Sequence, residues 1–170
     1  MAQSLDGATK VNPRYYKGPV PEVYNVLAGN SATWIKGQVG YTGTDGLAVV
    51  IADDAANAEF IFMEDRAAAL TATKAKVADI NPDTKWIFFV VDGTTDAAAT
   101  QAMVGSHYSV EVISGVAVLD LDSGTAHSND IVKVDRLMSD EEPRRHALAD
   151  EPGQVVGHYI RTASRDVDAA

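Results

Sequence analysis

Two aspartates stand where an apolar run ends and a glycine-containing turn begins, a position from which a carboxylate can act as a general acid, base or nucleophile. They are Asp92, before Gly-Thr, and Asp122, before Ser-Gly. Acid–base chemistry of this kind needs a second carboxylate beside the first. Val90 occupies the position of a partner for Asp92, and Asp120 lies two residues upstream of Asp122 on the same predicted strand. Both strings are better explained as strands that end in turns.

Residues 119–126, Leu-Asp-Leu-Asp-Ser-Gly-Thr-Ala, resemble the active-site turn of the aspartic proteases, in which two lobes each supply one carboxylate. Because the sequence holds one copy of the string, this resemblance implies a homodimeric enzyme with Asp122 at the shared site. The second signature of that family, an apolar pair and then glycine on a late strand that leads into a helix, is not convincingly matched. An Asp-dependent hydrolase is therefore kept as a third hypothesis, which an activity assay with Asp122→Asn tests.

The glycines and histidines predict neither a phosphate site nor a metal site. The glycines at 37, 40, 43 and 46 are followed by no Lys-Ser or Lys-Thr pair and by no helix start, so we interpret them as bends of a barrel or a wide loop. The histidines have no i, i+4 spacing, and the chain has no cysteine. The histidines, predicted to be surface or half-buried, are His107, His127, His146 and His158. We expect no enzyme activity, catalytic residue, metal or cofactor.

Composition and charge restrict the classes of protein and partner. A chain of 170 residues with 46% hydrophobic and 22% charged residues suits one globular domain. A net charge of −10 argues against nucleic acid as a partner. The longest apolar run, residues 86–91, is too short to span a membrane, and the first residues lack the basic and apolar regions of a secretion signal. These features predict a soluble protein that is made in the cytoplasm and kept there unless something else carries it out.

Short β-rich runs separated by turns dominate the sequence from residue 23 onward. The clearest is a hairpin of residues 107–113 and 116–121 around Ser114-Gly115. Asn81-Pro82-Asp83-Thr84 predicts a type I turn between two strands. In residues 131–137 the alternation places Val132, Val134 and Arg136 on one face and Ile131, Lys133, Asp135 and Leu137 on the other. The other predicted strands are residues 23–28, 33–36, 47–51, 59–63, 76–80, 85–91 and 154–161.

About nine short strands at this spacing predict a mainly β fold, an antiparallel sandwich or barrel. Alanine-rich residues 65–75 and 96–104 predict one or two short helices. The predicted organisation is an extended N-terminal arm (residues 1–22), a β domain (23–162) and a C-terminal tail (163–170). Residues 139–152 are predicted to form a polar loop within the β domain.

The N-terminal arm carries the candidate partner-binding residues. Its three prolines and two glycines disfavour regular structure, and its cations outnumber its acids although the whole chain is acidic. Tyrosine and arginine are enriched at the centres of interfaces. We therefore predict an arm that docks on a partner and is dispensable for folding, through residues Arg14, Tyr15, Tyr16, Lys17 and Pro19.

The arm, the Gly- and Ala-rich β segment of residues 37–51 and three later strings together resemble the decoration or cement proteins that coat the heads of tailed bacteriophages. The strings are Gly-x-x-Tyr-x-Val at residues 105–110, Lys-Val-Asp-Arg-Leu at 133–137 and Gly-x-Val-x-Gly at 153–157. The resemblance covers most of the chain, although the chain is longer than the smallest cement proteins and residues 139–152 match no part of their pattern.

The resemblance implies a structural virion protein without catalysis. Such a protein binds the major capsid protein on the outer surface of the head, as a homo-oligomer that is preferentially a trimer at three-fold axes or else a dimer at two-folds. The implied location is the capsid surface, after assembly in the host bacterial cytoplasm, with no nucleic acid or membrane as partner. The alternative hypothesis is a structural protein of a phage tail or baseplate, which the neighbouring genes would distinguish.

Overall fold

The computed structural model describes residues 12–29, 32–52, 58–66, 73–93, 95–121, 130–138 and 153–160. These residues form thirteen strands and one short 3-10 helix, Gln101–Met103. The strands are β1 (Arg14–Lys17), β2 (Val23–Ala28), β3 (Val39–Thr42), β4 (Ala48–Val50), β5 (Phe60–Phe62), β6 (Thr73–Asp79), β7 (Lys85–Asp92), β8 (Thr95–Asp96), β9 (His107–Tyr108), β10 (Val110–Ile113), β11 (Val116–Asp120), β12 (Val132–Leu137) and β13 (Gln154–Tyr159).

The strands build two sheets, and the predicted mainly β fold is confirmed. The larger sheet has eight strands in the order β10-β11-β7-β13-β12-β9, with β1 and β8 also paired to β7. The smaller sheet has the order β2-β6-β5-β3-β4. All pairs are antiparallel except that of β11 with β7, which is parallel.

Strand β7 is the centre of the larger sheet. It pairs with β1 and β11 and with β13 and β8, so neighbouring strands use its backbone groups along both edges. Its side chains alternate between two apolar clusters: Phe88 and Val90 belong to the large core, whereas Phe89 and Val91 pack with Val118 on the opposite side. We call that opposite side the outer face of the sheet.

The smaller sheet curls until β2 approaches β4, which gives it a nearly closed, barrel-like form. Its interior is filled by Phe60 and Phe62 of β5, with Trp34 stacked on Phe62 at 4.5 Å between ring centroids. Ile61 points the other way and joins the large core between the two sheets. Because β5 is buried on both faces, its sequence is a continuous apolar run in which apolar and polar residues do not alternate.

Two irregularities in the larger sheet place extra side chains on its outer face. In β12, Asp135 and Arg136 together oppose Val156 of β13, and in β1 the pairing shifts between Tyr15 and Lys17. The extra residue of a bulge reverses the alternation after it. The predicted grouping of Arg136 with the inward valines is therefore wrong: Leu137 is buried and Arg136 is exposed.

The helix predicted at residues 65–75 is wrong where it can be compared. Residues 73–75 belong to β6, and residues 67–72 lie outside the described part of the chain. Ala75 is fully buried in the cluster formed by Phe60 and Phe62. Burial in this cluster as part of the sheet outweighs the helix preference of alanine.

The helix predicted at residues 96–104 is reduced to the 3-10 turn Gln101–Met103. The backbone of Ala97 is held extended because its N–H donates to Val90 and its carbonyl oxygen accepts from Gly153. A side chain at Gly153 would collide with the backbone of Ala98 and Ala99. This close approach of two backbones prevents a longer helix.

The local turns follow the predictions. Thr84 N–H donates to the carbonyl oxygen of Asn81, and the Asn81 side chain accepts from Asp83, as expected for the predicted turn. Ser114 and Gly115 both have positive φ, as a two-residue hairpin turn requires.

The predicted strand at residues 33–36 is reduced to an isolated bridge between Trp34 and Arg66.

Substitution of Gly40 by alanine is expected to lower the free energy of unfolding by about 1–3 kcal/mol, because its side chain would overpack the small sheet. A Cβ there would lie 2.6 Å from Cε2 of Phe60 and 2.7 Å from the carbonyl oxygen of Val49. The control is Gly29→Ala, whose Cβ meets only Leu47, at 3.4 Å. Urea unfolding of both variants measures the difference. Equal stabilities would contradict the packing described for β3.

Candidate partner-binding surface

The described part of the predicted arm, residues 12–22, lies on the body of its own chain. Strand β1 pairs with the start of β7, and the Asn12 side chain accepts a 2.9 Å hydrogen bond from the backbone N–H of Ala117. The Thr84 hydroxyl donates to the carbonyl oxygen of Pro19 at 2.8 Å. The segment is therefore extended, as its prolines suggest, but it is a strand of the larger sheet. The structure does not support the expectation that it is dispensable for folding.

Tyr15 faces the inner side of β1, at the entrance to the core. Its ring meets Trp86 edge to face at 6.2 Å, and its hydroxyl donates to the carbonyl oxygen of Gly18. Tyr15 borders an apolar groove of about 400 Å³ between β1 and the smaller sheet, where Val20 and Val23 are 82% and 47% exposed. The groove residues are Pro13, Arg14, Tyr15, Val20, Pro21, Val23, Lys36, Gly37, Ile61, Phe62, Met63, Ala78 and Trp86.

Arg14 also contributes to the lining of the groove, but its guanidinium lies on the other side of the strand. Its guanidinium donates to the Gln154 side chain at 2.7 Å and lies 5.9 Å from the centroid of the Phe89 ring, on the outer face of the larger sheet. Lys17 Nζ lies 5.3 Å from the centroid of the Tyr16 ring. Strand β1 thus separates the apolar groove from a cation-rich surface.

The outer sides of β1, β7, β13 and β12 carry mostly basic groups, and we call this surface the basic face. Its residues are Arg14, Tyr16, Lys17, Lys85, Lys133, Asp135, Arg136 and His158. Among the described residues of this face, five cations and one carboxylate give a formal net charge of +4, with histidine left out of the count, on a chain whose net charge is −10. The described part of the basic face is therefore positive on an acidic protein.

Asp135 organises the middle of the basic face. One of its oxygens, Oδ2, lies 2.8 Å from His158 Nδ1 and 3.0 Å from Lys85 Nζ. His158 Nδ1 and Lys85 Nζ are also 3.1 Å apart, and since a ring nitrogen that donates to Asp135 cannot accept from Lys85, both groups donate to the same carboxylate. Burial raises the pKa of Asp135, but the hydrogen bonds from His158 and Lys85 and their charges outweigh burial, and the pKa is lowered from its ordinary value.

The structure divides the five predicted partner-binding residues between two surfaces. Arg14, Tyr16 and Lys17 lie on the basic face, and Tyr15 borders the groove. Pro19 is exposed in the turn that leaves β1.

Four residues that β12 and β13 contribute to the basic face were not predicted as partner-binding residues: Lys133, Asp135, Arg136 and His158. The alternation in residues 131–137 correctly predicts that Lys133 and Asp135 share one side of a strand. Nothing in the sequence indicates that this strand, β12, is the second neighbour of β7 in the larger sheet.

The other chemical candidates are dispersed or lie outside the described residues. His107 is exposed and His158 is half-buried, whereas His127, His146 and Asp122 fall outside the ranges given above. Within those ranges, no group of three or more His, Asp or Glu side chains is placed to hold a metal ion. The described residues also form no helix with the length and apolarity needed to cross a membrane.

Comparison of the chain with models of known protein families and with curated proteins finds no match.

A chain that lacks residues 1–21 is expected to melt at least about 5 °C below a chain that lacks residues 1–11 only, because the longer deletion removes β1 from β7 together with two side-chain hydrogen bonds. Using the shorter truncation as reference isolates residues 12–21. Thermal unfolding followed by circular dichroism measures both chains. Equal melting temperatures would show that β1 adds nothing to the fold.

Asp135→Asn is expected to lower the free energy of unfolding by about 1–3 kcal/mol at neutral pH, because Lys85 and His158 lose their charged acceptor. The pKa of Asp135 is lowered in the folded chain, so its stabilising contribution is fully present above the unfolded value of about 3.9 and is lost as the pH falls through the folded value. The difference between wild type and variant should therefore shrink on acidification below about pH 4.

The control for this experiment is Asp92→Asn, which makes the same charge change at an exposed position. Urea unfolding at a series of pH values measures all three proteins. A wild-type advantage that stays constant down to the lowest pH would contradict the charge assignment of Asp135.

Proposed function

We propose that this chain is a structural virion protein that binds the outer surface of a bacteriophage head and stabilises the lattice of the major capsid protein. The resemblance of residues 105–110, 133–137 and 153–157 to decoration proteins supports this function. The structural observation that most supports this function is the basic face, which β1 borders. Residues 133–137 and 153–157 of the resemblance fall on β12 and β13, which carry part of that face.

A concentrated positive surface on an acidic chain favours a partner with an acidic protein surface. Charge complementarity steers two proteins into one orientation and discriminates against other partners. Nucleic acid also carries negative charge, but the net charge of −10 repels a phosphate backbone at longer range. The acidic partner assigned by the proposal is the major capsid protein, reached on the exterior of the head.

Strand β1 provides contacts of two kinds on its two sides. Arg14 and Lys17 lie on the basic face, and the half-exposed Tyr15 ring borders the apolar groove. A capsid surface that covers β1 would meet charged groups and an aromatic anchor together, a combination typical of interface centres.

Repetition by symmetry would make such contacts effective. The proposed state is a homo-oligomer, preferentially a trimer at local three-fold axes, with no enzymatic activity and no cofactor. Each copy then adds a modest contact, and the linked contacts dissociate far more slowly than a single one. The same avidity would strengthen the head against the pressure of packaged DNA.

Arg14→Gln/Lys17→Gln is expected to weaken binding to heads at least about tenfold, because it removes two cations from the border of the basic face. The measurement is co-sedimentation of the purified protein with heads, lacking this chain, of the phage that encodes it. The control is Lys74→Gln/Lys76→Gln, which makes the same charge change on the exposed side of β6.

Three results would contradict the proposal. These are equal occupancy of the two double variants, an affinity that does not fall with added salt, and binding of the wild type to tails but not to heads. The last result would favour a tail or baseplate protein instead.

A further inference from the structure

Strand β1 is held to the larger sheet by residues that are far away in the sequence. It pairs with the start of β7, and Arg14 donates a hydrogen bond to the side chain of Gln154 on β13, 140 positions away. The hydroxyl of Thr84, just before β7, fixes the end of the segment at the carbonyl oxygen of Pro19. Because these partners belong to β7, β13 and the turn before β7, a second copy of the chain offers β1 the same site.

A linker of two residues, Val20 and Pro21, joins this segment to the smaller sheet. Directly after the linker, the carbonyl oxygen of Glu22 accepts a hydrogen bond from the N–H of Asp79, and β2 begins at the next residue. The ring of Pro21 fixes its own φ and disfavours the helical conformation at Val20, so the linker is extended. A short linker between two anchored segments favours exchange of the terminal segment between copies, because it leaves the chain little freedom to turn back onto itself.

Exposed apolar side chains are concentrated at this linker. Of the five large apolar side chains that are exposed among the described residues, three border the linker: Tyr15, Val20 and Val23. Val20 is the most exposed of the five, at 82%. In a symmetric oligomer the exchanged linkers of neighbouring copies run past one another, and these side chains would then cover each other. This exposed apolar surface supports a second copy of the chain as the partner at the groove.

We propose that β1 is exchanged between copies, so that β1 of one copy pairs with β7 of the next. The contacts of β1 with the larger sheet are the same whether the two strands belong to one chain or to two, so exchange loses none of these hydrogen bonds and adds apolar burial at the linkers. Reciprocal exchange closes a dimer, and cyclic exchange closes a trimer. The inference deepens the homo-oligomer of the proposed function and rests on it.

The chain contains no cysteine, so an engineered disulfide can trap the exchange without competing thiols. Arg14 lies opposite Ile87 in the pair of β1 and β7, which places cysteines at these two positions within bonding distance. Full-length Arg14→Cys and Ile87→Cys chains are unfolded together in urea, refolded at high concentration with reductant and then oxidised. The yield of covalent heterodimer, measured by intact mass, should be at least about tenfold higher than for Arg14→Cys with Lys74→Cys, whose second thiol lies on the exposed side of β6.

The length of the linker provides a second test. Insertion of Gly-Ser-Gly-Ser between Val20 and Pro21 of the Arg14→Cys chain should lower the heterodimer yield at least about tenfold, because a longer linker lets β1 return to β7 of its own chain. The control is the same insertion between Asp45 and Gly46, in the exposed turn between β3 and β4, which should leave the yield unchanged.

The double variant Arg14→Cys/Ile87→Cys measures the stoichiometry. On a denaturing gel without reductant it should give a covalent dimer or trimer, and a disulfide closed within single chains would overturn the exchange. A heterodimer yield no higher than that of the Lys74→Cys control, or one that the longer linker does not lower, would also overturn it. The proposed function fails separately: covalent oligomers that do not sediment with heads refute head binding alone, whereas monomers that bind heads refute the exchange alone.

Discussion

The burial of β7 on both faces, together with its pairing along both edges, is the constraint on which the rest of the structure depends. An eight-residue strand whose inward and outward side chains are both apolar cannot be left at a sheet edge without exposing apolar surface and unpaired backbone groups. Strands β1, β11, β13 and β8 meet that requirement, and none of them is adjacent to it in sequence except β8. Residues 12–22 therefore belong to the body, because β1 covers one edge of the first residues of β7.

The basic face follows from the same arrangement. Lys85 is the first residue of β7, where the strand reaches the surface, and the neighbouring strands contribute their polar positions at the same level. The register shifts in β1 and β12 bring Lys17 and Arg136 onto the basic face, whereas regular alternation would direct both side chains to the inner side of the sheet. Among the described residues of this face, the carboxylate of Asp135 pairs with Lys85 and His158 and holds them in place.

Local elements could be predicted because adjacent residues determine them. The hairpin around Ser114-Gly115 and the turn at Asn81 depend on backbone preferences and short-range hydrogen bonds, and both lie where the sequence indicates. Residues 73–75 and 96–104 were predicted as helix from their alanine content and form strand and a short turn. Burial of Ala75 in the cluster of Phe60 and Phe62, and the close approach of Gly153 to Ala98 and Ala99, each outweigh a helix preference of a few tenths of a kcal/mol per residue.

The sequence by itself determined that this protein is mainly β, acidic, and cationic near its N-terminus, because composition, alternation and turn residues are local properties. Only the tertiary structure decided that residues 12–22 pack on their own chain and that Lys17, Lys85, Asp135 and His158 meet. These residues lie on four strands separated by up to 141 positions in sequence. Their proximity depends on strand order and register, which are set by the burial of shared apolar faces and by irregular pairing that no short window of sequence specifies.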